Sequence, residues 1–300
     1  MQPTDSLSRD TVAVADTLAA MITREQFATS SWHQDGYINP SDPTMITADD
    51  RKKLVDWCYL FVDHFQLSRA TVASAMDMVD QFLSITSTSI SNSADDGAGA
   101  GAVRAVSDEA LRDQSKFQLL TVTALYVAIK VNERVALSSD LFVEVCSRAY
   151  TVEEIEDMER VLLSGLSWRC HAPTTHQVGL SILSLILPYV DIPEASWGFL
   201  MDEVKYLIEL TVLDYYFSTQ RTSTVALAAI FNAIGDMRSK GHRERLKDFL
   251  SVIMECFDFD HSKQITDVRR KLQLLVAKQE EMVLREDSED ERSATPPIDA

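Results

Sequence analysis

From Asp49 onward, apolar residues recur at helical spacing in a series of segments, each closed by Pro, Gly or small polar residues. Leu54, Trp57, Cys58, Phe61, Val62 and Phe65 follow the i, i+3, i+4, i+7 rule and predict a helix with one buried face. Val72, Met76, Val79, Phe82 and Leu83 repeat the pattern. The run Phe117 to Val131 is apolar nearly all round, which at that length predicts a helix enclosed by others at the centre of a domain. A short segment follows from Leu141 to Ser147. Thr151 and Glu154 then form a T-x-x-E capping box ahead of Ile155, Met158, Leu162 and Leu166, giving five helices.

Ala172-Pro173 should stop any helix, because proline lacks a donor and restricts the residue before it. A second series begins beyond it: Val178 to Leu187, Ser196 to Phe217, Thr224 to Met237, Arg243 to Phe257 and Ile265 to Met282. Leu246, Phe249, Leu250, Ile253, Met254 and Phe257 make an unbroken stripe on the fourth. The expected fold is therefore all-α, two consecutive five-helix units with no residue-level repeat between them. The expected organisation is an N-terminal arm over 1–48 with a helix from about Thr11 to Phe27, a first unit over 49–170, a second over 171–283, and a disordered acidic tail over 284–300. A Ser/Ala/Gly-rich stretch over 86–115 is expected as a loop insertion in the first unit.

Composition agrees with packed helices. The chain has 300 residues, 46% of them hydrophobic, with only 9 Gly and 8 Pro, enough for two cores. Its net charge of −18 opposes binding to nucleic acid phosphates or anionic lipid, and the tail carries only a small part of it. The longest apolar stretch, Val178 to Val190, falls short of the roughly 20 residues of a membrane span. The start lacks the basic and apolar regions of a signal peptide, so nothing is expected to direct the chain out of the cell. Cys58, Cys146, Cys170 and Cys256 form no CxxC pair, and His171 and His176 beside Cys170 lack further converging ligands, so neither metal nor cofactor is expected. GxSxG, HExxH, phosphate-cradling glycine loops and kinase signatures are all absent, and no enzyme is expected.

Four stretches, DRKKLVDW (Asp50 to Trp57), DMVDQFLS (Asp77 to Ser84), FQLLTVTALYVAIKVNE (Phe117 to Glu133) and YTVEEIEDMERVLLSGLSW (Tyr150 to Trp168), resemble a cyclin box in order and spacing. Arg51, Asp80, Leu119, Lys130 and Glu159 match the five positions that characterise that box, and they lie on four predicted helices. HAPTTHQ from His171 and ELTVLDYYF from Glu209 extend the resemblance into the second unit.

The resemblance implies two cyclin repeats that bind and activate a cyclin-dependent Ser/Thr protein kinase and control cell-cycle progression. It implies kinase contacts at Lys130 and Glu159, with Val131 and Glu133 beside them, and an internal Arg51–Asp80 ion pair that braces the box together with Leu119. Taken alone, Lys130 and Glu159 read as ordinary surface charges, and only the surrounding motif makes them a binding pair. Leu54, Trp57 and Gln118 match the family's docking groove for kinase substrates or inhibitors, whereas Asp50, Lys53 and Leu60 replace its usual Met, Ile and Glu. Thr295, before Pro296-Pro297, is a candidate phosphosite. Two rivals remain: an adaptor with a cyclin fold and other peptide partners, and a promoter-binding general transcription factor, which the charge opposes.

Overall fold

The computed structural model describes residues 3–32, 36–88, 98–134, 137–146, 148–259 and 262–293. Among them are thirteen α-helices, one 3-10 turn and no strand. The elements begin with α1 (Pro3–Trp32), followed by a first unit of α2 (Ala48–His64), α3 (Ala70–Thr88), α4 (Ala98–Arg112), α5 (Gln114–Asn132), α6 (Ser139–Val145) and α7 (Val152–Gly165). The second unit holds α8 (Thr175–Ile186), the 3-10 turn Leu187–Tyr189, α9 (Glu194–Leu213), α10 (Tyr215–Ser218), α11 (Thr222–Asp236), α12 (Lys240–Cys256) and α13 (Ser262–Ser293). No helix among the described residues is long and apolar enough to cross a membrane.

Each unit is built round one enclosed helix. In α5, Phe117 and every residue from Leu119 to Ile129 are buried, with α2, α3, α4 and α7 packed about it. In α11, Ser223 to Ile230 and Asn232 to Ile234 are buried among α8, α9, α12 and α13. Such helices depend on tertiary packing rather than on an amphipathic stripe. Local signals set the ends of their neighbours. Thr47 with Asp50, Thr151 with Glu154, and Thr174 with Gln177 form capping boxes at the starts of α2, α7 and α8.

Four expectations need correction. Where the 86–115 stretch is described it is largely helical, not a loop: α3 runs on to Thr88, and α4 buries Val103, Ser107, Ala110 and Leu111 against α3, α5 and α7. The small Ala110 is fully buried there, and Gly165 of α7 completes the fit, since a Cβ there would lie 2.6 Å from the Phe82 ring and 3.0 Å from Val103. The arm differs from expectation as well. Its helix spans Pro3–Trp32, not Thr11 to Phe27, and it buries Leu18 and Ile22 in the core of the second unit. The predicted helix Ser196 to Phe217 is broken at Asp214, which takes an extended conformation and accepts from the Tyr216 N–H at 2.9 Å to start α10. The acidic tail begins inside α13, which reaches Ser293, while Thr295 lies outside the described residues.

Candidate functional site

Lys130 occupies the last turn of α5, where a cation suits the helix dipole. Glu159 lies on α7, whose inward positions Ile155, Met158 and Leu162 leave it on the rim of the first core. The Lys130 Nζ lies 2.6 Å from Glu159 Oε1 and 4.7 Å from the centre of the Tyr126 ring. The two side chains are 40% and 16% exposed, so the pair is open to a partner. Val131 packs partly buried against the first core. Glu133 is engaged within the fold: its Oε1 accepts from the Ser68 N–H at 3.0 Å and the Thr71 hydroxyl at 2.5 Å, tying the end of α5 to the start of α3.

Trp168, which closes the fourth cyclin-box stretch, is 73% exposed just beyond α7. Ser167 and Trp168 both take positive φ, 51° and 61°, which bulky L-residues rarely adopt. The Trp168 N–H donates to Leu163 O at 2.8 Å, so the backbone is held while the indole faces solvent. Burial, with the Glu159 charge next, raises the Cys170 thiol pKa. Lys130, Glu159, Cys170 and the end of α7 thus belong to one neighbourhood. Helical periodicity could not reveal Trp168, because it lies past the last helical residue.

The second constellation is buried. Arg51 Nε donates to Asp80 Oδ1 at 3.0 Å and Nη2 to Oδ2 at 2.7 Å, a bidentate pair between side chains 2% and 7% exposed. The Tyr37 hydroxyl donates to Asp80 Oδ1 at 2.6 Å, and Arg51 Nη1 donates to the Val212 carbonyl of α9 at 2.7 Å. The Tyr215 hydroxyl accepts from the backbone N–H groups of Tyr37 and Ile38 at 2.6 and 3.1 Å. Burial alone would lower the Arg51 pKa, but the Asp80 charge and hydrogen bonds outweigh it and hold the pKa above the ordinary value. Burial, with the Asp80 charge next, pushes the Tyr37 hydroxyl well up, so it stays a donor. The pair therefore joins the arm and both units, a reach not visible from its positions in the chain. Leu119 is buried in the first core.

Leu54 and Trp57 lie partly buried on α2, which packs against α5, and Gln118 is exposed on α5. Asp50 has a local task, since it accepts from the Thr47 N–H at 3.0 Å in the capping box, and Lys53 lies 3.5 Å from it. Leu60 is 70% exposed. This face is therefore charged at one end and apolar at the other. Among the described residues no group of His, Cys, Asp and Glu converges as a metal site.

The comparisons with known proteins agree with this architecture. Residues 16–171 match the family model "Cyclin, N-terminal domain" and residues 196–289 match "Cyclin, C-terminal domain". The chain belongs to the cyclin family, whose members are regulatory rather than catalytic subunits. It is 26% identical over 188 residues to cyclin-A2-1 of Oryza sativa subsp. japonica, covering 63% of this chain and 33% of that protein. It is 29% identical over 187 residues to the G2/mitotic-specific cyclin-B2 of Oryzias latipes, covering 62% and 40%. Putative cyclin-A3-1 of Arabidopsis thaliana is 26% identical over 197 residues, covering 66% and 48%, so the matched stretch spans a third to a half of these relatives. The crystal structure of a viral cyclin from herpesvirus saimiri shares the fold with a TM-score of 0.58 at 15% identity, covering 87% of this chain and 96% of that one.

Proposed function

We propose that this chain is an activating subunit of a cyclin-dependent Ser/Thr protein kinase, acting in cell-cycle progression in the nucleus and cytoplasm. The observation that carries the reading is the surface at the ends of α5 and α7, which presents the accessible Lys130–Glu159 pair and an exposed Trp168 whose backbone is held by Leu163. Solvent-exposed aromatic and charged side chains of this kind are the composition of a binding hot spot. The chain performs no chemistry itself in this reading. Its binding energy selects the kinase conformation in which the catalytic Lys–Glu pair and the phosphate-positioning residues are assembled. The mixed face at Asp50, Lys53 and Leu60 favours one other reading, an adaptor that binds peptides without a kinase.

Affinity capture from native lysate separates the two, using the intact protein, a Lys130→Ala/Glu159→Ala double variant and Trp168→Ala. The intact protein is expected to recover an active cyclin-dependent kinase. Each folded variant should lose about 2 to 5 kcal/mol of binding. Recovery of other proteins with no kinase activity assigns the chain to the adaptor reading.

A further inference from the structure

The two repeats meet along a cleft of about 60 Å3, lined by Arg51, Asp77 and Asp80 from the first repeat and by Thr175, Ser218 and Thr222 from the second. Arg51 and Asp80 neutralise one another through their two hydrogen bonds. Asp77 is left over: among the described residues its side chain has neither a hydrogen bond nor an ion pair. The cleft therefore holds one uncompensated negative charge when Asp77 is ionised.

Its hydroxyl lining can accept. The Ser218 Oγ donates its proton to Tyr215 O at 2.9 Å, which leaves only lone pairs for a ligand, and threonine hydroxyls can rotate to accept. The two helix N-termini at the border, which would repel a cation, are already capped. Gln177 and Thr174 close α8, and Glu25 of α1 accepts from the Ser223 N–H and hydroxyl of α11 at 2.7 and 2.6 Å. A water needs roughly 10 to 15 Å3, so the cleft takes about four to six such groups. A guanidinium, with about four non-hydrogen atoms and only donors, fits that space and chemistry.

We propose that this cleft is a docking pocket for an arginine or lysine side chain of a protein partner, held by Asp77 and the hydroxyls of Thr175, Ser218 and Thr222. The net charge of −18 steers a basic segment towards it. The charged and titratable groups facing Asp77 are Asp80 on its own helix, Arg51 of α2, Glu25 of α1, and Arg169 and Cys170 of the segment after α7. Burial and then the Asp80 charge push the Asp77 carboxyl up to about 7, so the pocket charges as pH rises through neutrality. The proposal does not depend on the kinase reading, because its test uses the free protein.

The test is an NMR titration of the isotope-labelled full chain with three probes: acetyl-Ala-Arg-Ala-amide, its norleucine analogue and methylguanidinium. The arginine peptide should shift the amides of Thr175, Ser218 and Thr222, bind at least tenfold more weakly below pH 6 than at pH 8, and lower the Asp77 carboxyl midpoint. Asp77→Asn, nearly isosteric, should weaken it at least tenfold, and Thr222→Val should weaken it independently. The proposal is overturned if the norleucine peptide binds equally, if the shifts map elsewhere or do not occur, or if Asp77→Asn binds unchanged. Equal affinity for methylguanidinium would mean a cation site with no polypeptide partner. Binding seen only in Arg169→Ala would mean that the chain's own arginine fills the cleft, and either result sinks the idea.

Discussion

Arg51–Asp80 and Lys130–Glu159 each join a base and an acid 29 residues apart on different helices, at 2.7 and 2.6 Å. Contact distance alone would rank them equal. Their surroundings separate them: the first is buried and carries further bonds to Tyr37 and Val212, whereas the second is open to water. A buried pair has surrendered its hydration and depends on every remaining partner, while an exposed pair exchanges its partner for water at little cost. One pair is therefore suited to holding the repeats together and the other to changing partners on binding.

The largest effect that tests this contrast should follow removal of the buried acid. Asp80→Ala leaves Arg51 charged, buried and without its carboxylate, and should lower stability by about 3 to 5 kcal/mol in chemical denaturation. It should also loosen both repeats, because the Val212 and Tyr37 contacts share the same guanidinium and carboxylate. A loss below 1 kcal/mol would show that water reaches the pair.

Asp77, one helical turn from Asp80, should give an intermediate effect with a pH signature. With its pKa raised to about 7, the folded state keeps a proton that the unfolded state releases between about pH 4 and 7. Stability should therefore fall as pH rises through that window. Asp77→Asn should remove the decline and be more stable by about 1 to 2 kcal/mol above pH 7, a value reduced because the residue is only part-buried. Parallel stability curves for the two proteins would refute the assignment.

The smallest effect belongs to the exposed pair. Lys130→Ala should change stability by less than about 1 kcal/mol, even though the same substitution is expected to weaken kinase binding. A loss of stability as large as that of Asp80→Ala would remove the distinction between the two pairs.

The chain itself carried the elements whose signals are short-range. The Thr151–Glu154 box, the stripe from Leu54 to Phe65 and the enclosed run Phe117 to Val131 are all written within a few turns, and they lead to the all-helical fold. The pairing of Arg51 with Asp80 was legible only through the resemblance to the cyclin box. The helix α4 was not legible, because Ala, Gly and Ser are weakly apolar and the helix is held here by packing against α3, α5 and α7. Nor was the exposure of Trp168, which follows from a left-handed turn after α7, or the cleft that brings Asp77 of one repeat opposite Thr222 of the other. Helix faces and caps are decided by residues three or four apart, so sequence suffices for them. Burial, solvent access and uncompensated charge are set by surfaces far apart in the chain, and only their tertiary meeting decides them.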